Sequence, residues 1–471
     1  MKKILYFFVA LYITFFSVFS VVRYRNMYAN YFDLGIMHHV VYNSYQALRT
    51  GDWARFLEHT DPNGYQQVVR SAVHNDIILG LFAPLYFLFA SPEVLLVIQS
   101  VALGLGSVAL FGIAQHILRA QKHRDFSALI VAVAYLFYPP LQLMNRFDFH
   151  AVALATPLLL FMVFFWLQKR YVWSSIFLFL SLLTKEQVGL TTAAFCGYVL
   201  IGQAKTHKWR LKKIVTDEGI RWGAALGAVS IFWVLFSFKV MIPFFRGGGH
   251  FALSRYENVN VLTTIFRQST VDYIWNLFGP IGFLSFLSPV WLLAIPEFGI
   301  NLLSQDPNMR SIAFHYNAVV IPFLFLSAIY GLRLLLHIKP RIALGTCGVL
   351  IASIIWFSVT MSPLPYSQQR DLFVFYPQQN ARDAREWAYR LRDDSIPVAA
   401  TGNVGTFLSS RRRFYYFSQY YPLADYVIIR PSEVFTYHDK ETLMPVYQQL
   451  IRDPRYVLVD KRDNFEVYKK L

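Results

Sequence analysis

Along most of the chain, long apolar runs alternate with short polar interruptions. The runs occupy residues 4–22, 94–118, 126–144, 151–167, 171–184, 188–201, 222–243, 273–288, 290–303, 315–336 and 342–361. A helix needs about 20 predominantly apolar residues to cross a hydrocarbon core. Helices also satisfy their own backbone hydrogen bonds there, which irregular chain cannot. The pattern therefore predicts eleven transmembrane helices. The runs at 273–288 and 290–303 are short and read equally as one re-entrant pair.

Charge sets the direction of each crossing, because Lys and Arg are retained on the cytoplasmic side. Lys2 and Lys3 precede the first run and place the N-terminus in the cytoplasm. No small-x-small cleavage site follows that run, so it reads as an anchor and not as a signal peptide. Arg119, Lys122, His123 and Arg124 form the next cytoplasmic cluster. Only one crossing fits between that cluster and the polar stretch 23–76. The apolar segment 77–90, short and interrupted by Pro84, is therefore expected to lie along the outer interface. On the same count Lys169, Arg170 and the Lys/Arg-rich loop 205–213 are cytoplasmic.

From residue 362 onward both signs of charge appear. Short apolar runs at 397–400, 426–429, 456–459 and 465–468 alternate with helix-like stretches at 381–391 and 441–451. Strands separated by helices predict a small α/β domain. The expected fold is an all-α polytopic membrane domain over 1–361, with a first outer loop at 23–92, followed by an extracytoplasmic α/β domain over 362–471. The host is the cytoplasmic membrane.

Composition narrows the function. Charged residues make up 15% and hydrophobic residues 55%, against about a quarter charged in a soluble globule. The net charge of +16 reads as cytoplasmic retention and contact with membrane lipids, not as nucleic-acid binding. Cys196 and Cys347 lie in apolar runs and read as small buried hydrophobes. No Cys or His spacing supports zinc, and His38 and His39 are adjacent, so they point apart on a helix. Spacing thus predicts no metal site and no required cofactor.

The polar residues with chemical potential collect on the outer side. Asp33 follows the first span; Arg146, Asp148 and His150 lie in one outer loop; Lys185 and Glu186 end the fifth span. His250 follows three glycines, and His315-Tyr316 opens the tenth span. Each has a plainer structural role. Asp33 suits an N-cap, and Lys185-Glu186 an interfacial ion pair. Asp148 and His150 could bond each other or a helix N-terminus. The glycines make a flexible loop, since no strand precedes them as a phosphate loop requires. Glu297, midway along a short span, is expensive to bury and so implies function or a partner. Arg411-Arg412-Arg413 before Phe414-Tyr415-Tyr416-Phe417 reads as an acceptor-binding surface or as a strand with a solvated basic edge.

Several of these segments carry a resemblance. Tyr31-Phe32-Asp33-Leu34-Gly35-Ile36, Tyr138-Pro139-Pro140, Phe147-Asp148-Phe149-His150, Lys185-Glu186 and Asn301-Leu302-Leu303-Ser304 with His315-Tyr316 resemble a bacterial and archaeal family of predicted membrane proteins. That family in turn resembles the GT-C superfamily of integral membrane glycosyltransferases. The resemblance covers roughly 1–361. It implies an acid soon after span one, matched by Asp33, and juxtamembrane helices in the first loop, matched by 77–90. It implies transfer of a sugar from a polyprenyl-phosphate donor to an extracytoplasmic hydroxyl on a glycan, lipid or protein. Asp33 and Asp148 are then the catalytic candidates, and Arg146, His150, Lys185, Glu186, His315 and Tyr316 the substrate- and phosphate-binding ones. Many GT-C members carry a second acid close to the first, and no acid adjoins Asp33, which leaves metal use open.

A transporter or lipid flippase is the competing class. It would place ionisable groups at the bilayer midplane, often in two repeated halves; here they gather at one face and no matching halves are evident. A non-catalytic scaffold would leave Asp33, Asp148 and His315 apart.

Overall fold

The computed structural model describes residues 1–257, 259–338, 340–436 and 439–471, the side chains of 340–344 excepted. Five of its helices are long and apolar enough to cross a membrane: Lys2–Arg25, Pro92–Ile117, Arg124–Arg146, Glu218–Arg246 and Val320–Ile338. Shorter apolar helices include Ile77–Phe87, Ala151–Leu167, Tyr171–Leu182, Pro289–Leu303 and Gly345–Met361. The first helix shows why a bilayer is needed. Leu5, Val9, Tyr12 and Phe16 pack inward, while Tyr6, Phe7, Leu11 and Val18 stay exposed, so it is apolar on every face. Small residues bring neighbours close. A Cβ at Gly104 would meet Ile13 Cγ1 at 2.6 Å, and one at Gly112 would meet Phe164 Cε2 at 2.2 Å.

The run 273–288 is not a continuous helix, contrary to the simplest expectation for it. Helix Gln268–Phe278 gives way to short 3₁₀ turns, and both Gly282 and Phe283 are left-handed, at φ +61° and +54°. Pro280 and Gly282 account for the break. The freed backbone is satisfied from within the protein, as irregular chain in a membrane requires. Ser285 Oγ donates to Leu324 O at 2.7 Å, and Ser327 Oγ donates to Ser285 O and Ser288 O at 2.8 and 2.9 Å.

The first loop folds as a layer of its own. A helix Ile36–Thr50 is followed by an antiparallel hairpin of β1 (Glu58–Thr60) and β2 (Gln67–Val69), then the 3₁₀ segment Ile77–Phe87. In that segment Ile78, Leu79, Ala83 and Tyr86 are buried, whereas Leu81, Leu85 and Phe87, and just beyond it Leu88 and Phe89, are exposed.

Residues beyond 362 build a five-stranded mixed sheet from β3 (Val398–Ala400), β4 (Phe414–Tyr416), β5 (Tyr426–Ile429), β6 (Tyr456–Arg462) and β7 (Phe465–Lys470), in the order β4-β3-β5-β7-β6. β3 runs parallel to β4 and β5, and β7 is antiparallel to β5 and β6. Residues 414–416 form the edge strand β4, with Arg413 exposed as the strand reading expects, but Arg411 departs from it. Arg411 is fully buried and donates to the carbonyls of Leu408, Ile396 and Leu391. It thereby caps the C-terminal end of helix Gly402–Leu408. Arg412 pairs with Glu58 at 3.0 Å and Asp52 at 3.4 Å. These two arginines tie the sheet to its own connections and to the first loop.

The sheet and the first loop share one core. Met27, Tyr31 and Ile36 pack in the same cluster as Val404, Phe414 and Val427. Asn403 Nδ2 donates to Met27 O at 2.7 Å, and His38 Nε2 meets Ser410 Oγ at 2.7 Å.

Three buried imidazoles in this junction make it sensitive to acid. Burial pulls His38 down to about 3 and His39 to about 4, and holds His59 well below its ordinary range. An unfolded imidazole titrates near 6.5, so between about pH 4 and 6.5 the unfolded chain binds more protons and stability rises with pH. The thermal midpoint of the detergent-solubilised protein is expected to fall as pH is lowered from 7 to 4.5. A midpoint that is flat over that window would contradict the buried, neutral state of these residues.

Candidate functional site

The site begins where the first helix ends. Asn30 caps the following turn, its Oδ1 accepting the Phe32 N–H at 3.0 Å. Tyr31–Gly35 is a single widened, π-helical turn, a form that recurs at functional sites. Tyr31 is buried against Phe414, ring centroids 4.3 Å apart. Gly35 is needed there, because a Cβ would lie 2.6 Å from Tyr31 Cδ2. The turn leaves Asp33 at the rim of a cavity of about 440 Å³.

Asp33 Oδ1 lies 3.3 Å from His150 Nε2. His150 is placed by its own loop: its N–H donates to Gln99 Oε1 at 3.0 Å, and its Nδ1 meets Asp148 O at 3.2 Å. Nδ1 must donate to that carbonyl. Contact between Nε2 and a carboxylate is then a hydrogen bond only when the ring carries both protons. The ring is the middle of a stack, 5.2 Å from Phe147 and 3.8 Å from His315. Burial, with the His150 ring beside it, holds His315 well below its ordinary range. Its buried Nδ1 has no partner among the described residues.

Asp148 is 2% exposed. It forms an ion pair with Arg23 and accepts the Asn30 N–H at 2.9 Å. Burial pushes its carboxyl up, while Arg23 pulls against that shift. With both oxygens engaged, Asp148 positions the Asn30 turn and the His150 loop. Arg146 is not among the cavity's lining residues; it pairs with Asp371, from the segment after the last apolar helix. Lys185 does line the cavity, and among the described residues no hydrogen bond or ion pair engages its ammonium. His315 and Tyr316 line it as well. Glu297 does not: it is buried, with Gln187 Nε2 3.4 Å from one oxygen and, among the described residues, no partner for the other.

Glu186 is the centre of a second group on the cavity wall. Its Oε1 lies 2.9 Å from His74 Nδ1 and 3.1 Å from His250 Nε2, and its Oε2 accepts the Asn75 N–H at 2.9 Å. Burial would raise this carboxyl, but His74, His250 and the nearby Lys185 charge outweigh it and hold it well below the usual carboxylate range. His74, Glu186 and His250 are the one trio of candidate metal ligands found among the described residues. No short spacing joins them. His74 opens a polar triplet, His74-Asn75-Asp76, just before the apolar stretch 77–90, and that change of character was its only signal. Arg255 and Tyr256 also line the cavity unheralded; they follow the triple glycine.

One flank of the wall is apolar, with Phe32, Ile36, Met37, Leu190, Phe238, Phe251, Ile300 and Met309, while Arg70, Asp76, Thr184 and Gln187 add further polar lining. Leu253 also lines the cavity, and it is exposed, as are Phe244, Leu262 and Phe266. The cavity therefore combines a carboxylate, cationic side chains and an apolar flank. That suits a ligand with an anionic head and a hydrocarbon tail.

No curated protein matches the chain. Among solved structures, ArnT from Cupriavidus metallidurans bound to undecaprenyl phosphate aligns over 100% of this chain and 98% of its own, with a TM-score of 0.54 and 12% identity. ArnT from the same organism in the apo state aligns over 93% of each chain, with a TM-score of 0.52 and 13% identity. At such identity the likeness is one of fold, and the fold is that of GT-C glycosyltransferases. The model of a family of predicted membrane proteins, DUF2079, matches residues 23–467, and the chain belongs to that family.

Proposed function

We propose that the protein transfers a sugar from a polyprenyl-phosphate donor to a hydroxyl acceptor on the extracytoplasmic side of the cytoplasmic membrane. The observation that carries this reading is the contact of Asp33 with His150, on a cavity that also holds Lys185 and Arg255 and has an apolar flank. The likeness to an ArnT structure bound to undecaprenyl phosphate supports the choice of donor.

The step needs little from the protein beyond placement. The acceptor oxygen bonds to the anomeric carbon. The carbon–oxygen bond to phosphate breaks, with its electron pair staying on the phosphate. The acceptor proton passes to Asp33, whose carboxylate His150 orients as general base. The leaving lipid phosphate is already a stable anion, so it calls for cations and not for an acid. Lys185 and Arg255 supply them, with His315 as a neutral imidazole beside them. The tail enters along the exposed apolar residues Phe244, Leu253, Leu262 and Phe266.

A transporter does not call for this convergence. A scaffold would leave the groups apart, yet Asp33 touches His150, and His150 stacks on His315.

The reading is tested by incubating the purified protein with a panel of polyprenyl-phosphate sugars and following donor consumption. Asp33→Asn is expected to lower turnover by the ~10²–10⁴ typical of a lost general base, with folding and donor binding little changed. Asp148→Asn is expected to act differently: a smaller loss of turnover and a lower thermal midpoint, because it strips Arg23 of its buried partner. Full turnover by Asp33→Asn rejects the base assignment; consumption of none of the donors rejects the substrate class.

The topology is checked separately by cysteine labelling from each side of the membrane. Sites in the 205–213 loop are expected to react only from the cytoplasm, and sites in 362–471 only from outside. Labelling of 362–471 from the cytoplasm would reverse the side on which the cavity opens.

A further inference from the structure

The His74–Glu186–His250 group has more order than a hydrogen-bonded carboxylate requires. Its three donor atoms come from three separate segments and lie within 4.8 Å of one another. Zinc binds imidazole nitrogen and carboxylate oxygen at about 2.0–2.2 Å in tetrahedral array, which sets neighbouring donors roughly 3.5 Å apart. The observed 2.9 and 3.1 Å from Oε1 to the two imidazole nitrogens need only a small expansion to reach that spacing.

The supporting contacts fix the donors. The Asn75 N–H occupies Glu186 Oε2 and leaves Oε1 between the two rings. Phe251 stacks on His250, with centroids 5.1 Å apart, and lies edge-on to His74 at 5.4 Å. Such outer contacts orient metal ligands. The chemistry of the set selects the ion. Magnesium prefers oxygen ligands and retains its waters, whereas imidazole suits zinc and its neighbours in the transition series. Two histidines and one carboxylate leave one tetrahedral position for water or substrate. All three ligands line the same cavity as Asp33 and Lys185, so that position opens onto the proposed donor site.

We propose that His74, Glu186 and His250 form a zinc-type metal site whose open position takes a phosphate oxygen of the lipid donor. The metal assignment stands on the three ligands alone; its phosphate role rests on the glycosyltransferase reading. The competing account is a metal-free hub in which both rings donate to Glu186. The Ala252 N–H, 3.0 Å from His250 Nδ1, favours the Nε2–H tautomer that such a hub needs. A metal on Nε2 moves that proton to Nδ1 and opens the Ala252 contact.

The test uses the full chain in detergent, stripped with a chelator, reloaded with Zn²⁺ or Mg²⁺ and desalted. Elemental analysis is expected to find about one retained zinc per chain, as for a three-ligand protein site with one open position, and no retained magnesium. His74→Ala and His250→Ala should each lose the zinc while keeping the parent's elution volume. Zinc should raise the thermal midpoint of the parent and not of these variants. Zinc retention no greater in the parent than in both variants overturns the site in favour of the metal-free hub. The second arm measures binding of undecaprenyl phosphate with and without zinc. Tighter binding on zinc addition supports the phosphate role; unchanged binding overturns that role while the metal site stands. Zinc retained by a protein that consumes no sugar donor rejects the transferase reading and leaves the metal site intact.

Discussion

Arg23 ends the first apolar helix, and Asp148 lies 125 residues further along the chain. Their ion pair fixes where the membrane part stops and the site begins. Asp148 uses its second oxygen to hold the Asn30 N–H, and Asn30 caps the turn that carries Asp33. Its backbone carbonyl meets the imidazole of His150, and that imidazole meets Asp33. One buried acid thus fixes both partners of the proposed catalytic contact. An ion pair with so little solvent contributes modest net stability, because desolvation offsets much of its attraction. Its value here is geometric: two loops are held at one separation.

The sheet beyond residue 362 completes that constraint from the other side. Phe414 covers Tyr31, and Asn403 holds the Met27 carbonyl, so the turn bearing Asp33 is enclosed between the helical bundle and the sheet. Arg412 adds ion pairs to Glu58 and Asp52. A loop fixed in this way loses little further freedom when a ligand arrives, and such preorganisation favours binding and catalysis. The apolar flank of the cavity supplies the complementary half of the proposed site, where a lipid tail would lie.

Much of this was legible in the sequence, for identifiable reasons. Apolar runs long enough to span must be helical, so the first span, the one ending near Ile117 and the one starting near Val320 followed from length alone. Four strands beyond 362 were marked by short apolar runs between helical stretches. Strand β4 was legible as one reading of 411–417, but the burial of Arg411 was not, because its guanidinium is taken up by three carbonyls. The break within 273–288 was hidden for a related reason. The carbonyls of Ser285 and Ser288 accept from Ser327 of a later helix, and Ser285 in turn donates to Leu324 O; no local pattern records such partners. At the site, Asp33, His150 and His315 were each visible as polar residues at the end of a run. Arg146 shared that signature, yet its charge is consumed by Asp371. The His74–Glu186–His250 trio was invisible because its members lie far apart in sequence and metal-ligand spacing rules address short motifs only.

The claim at the centre of this account is that the cavity beside Asp33 receives the phosphate of a polyprenyl lipid. A cryo-EM structure of the protein with undecaprenyl phosphate tests it most directly. The account predicts phosphate density within about 3 Å of the Lys185 ammonium, the range of a charge-assisted hydrogen bond, with the tail leaving past Phe244, Leu262 and Phe266. Lipid phosphate bound elsewhere on the protein, with Lys185 and Asp33 facing an empty cavity, would contradict it.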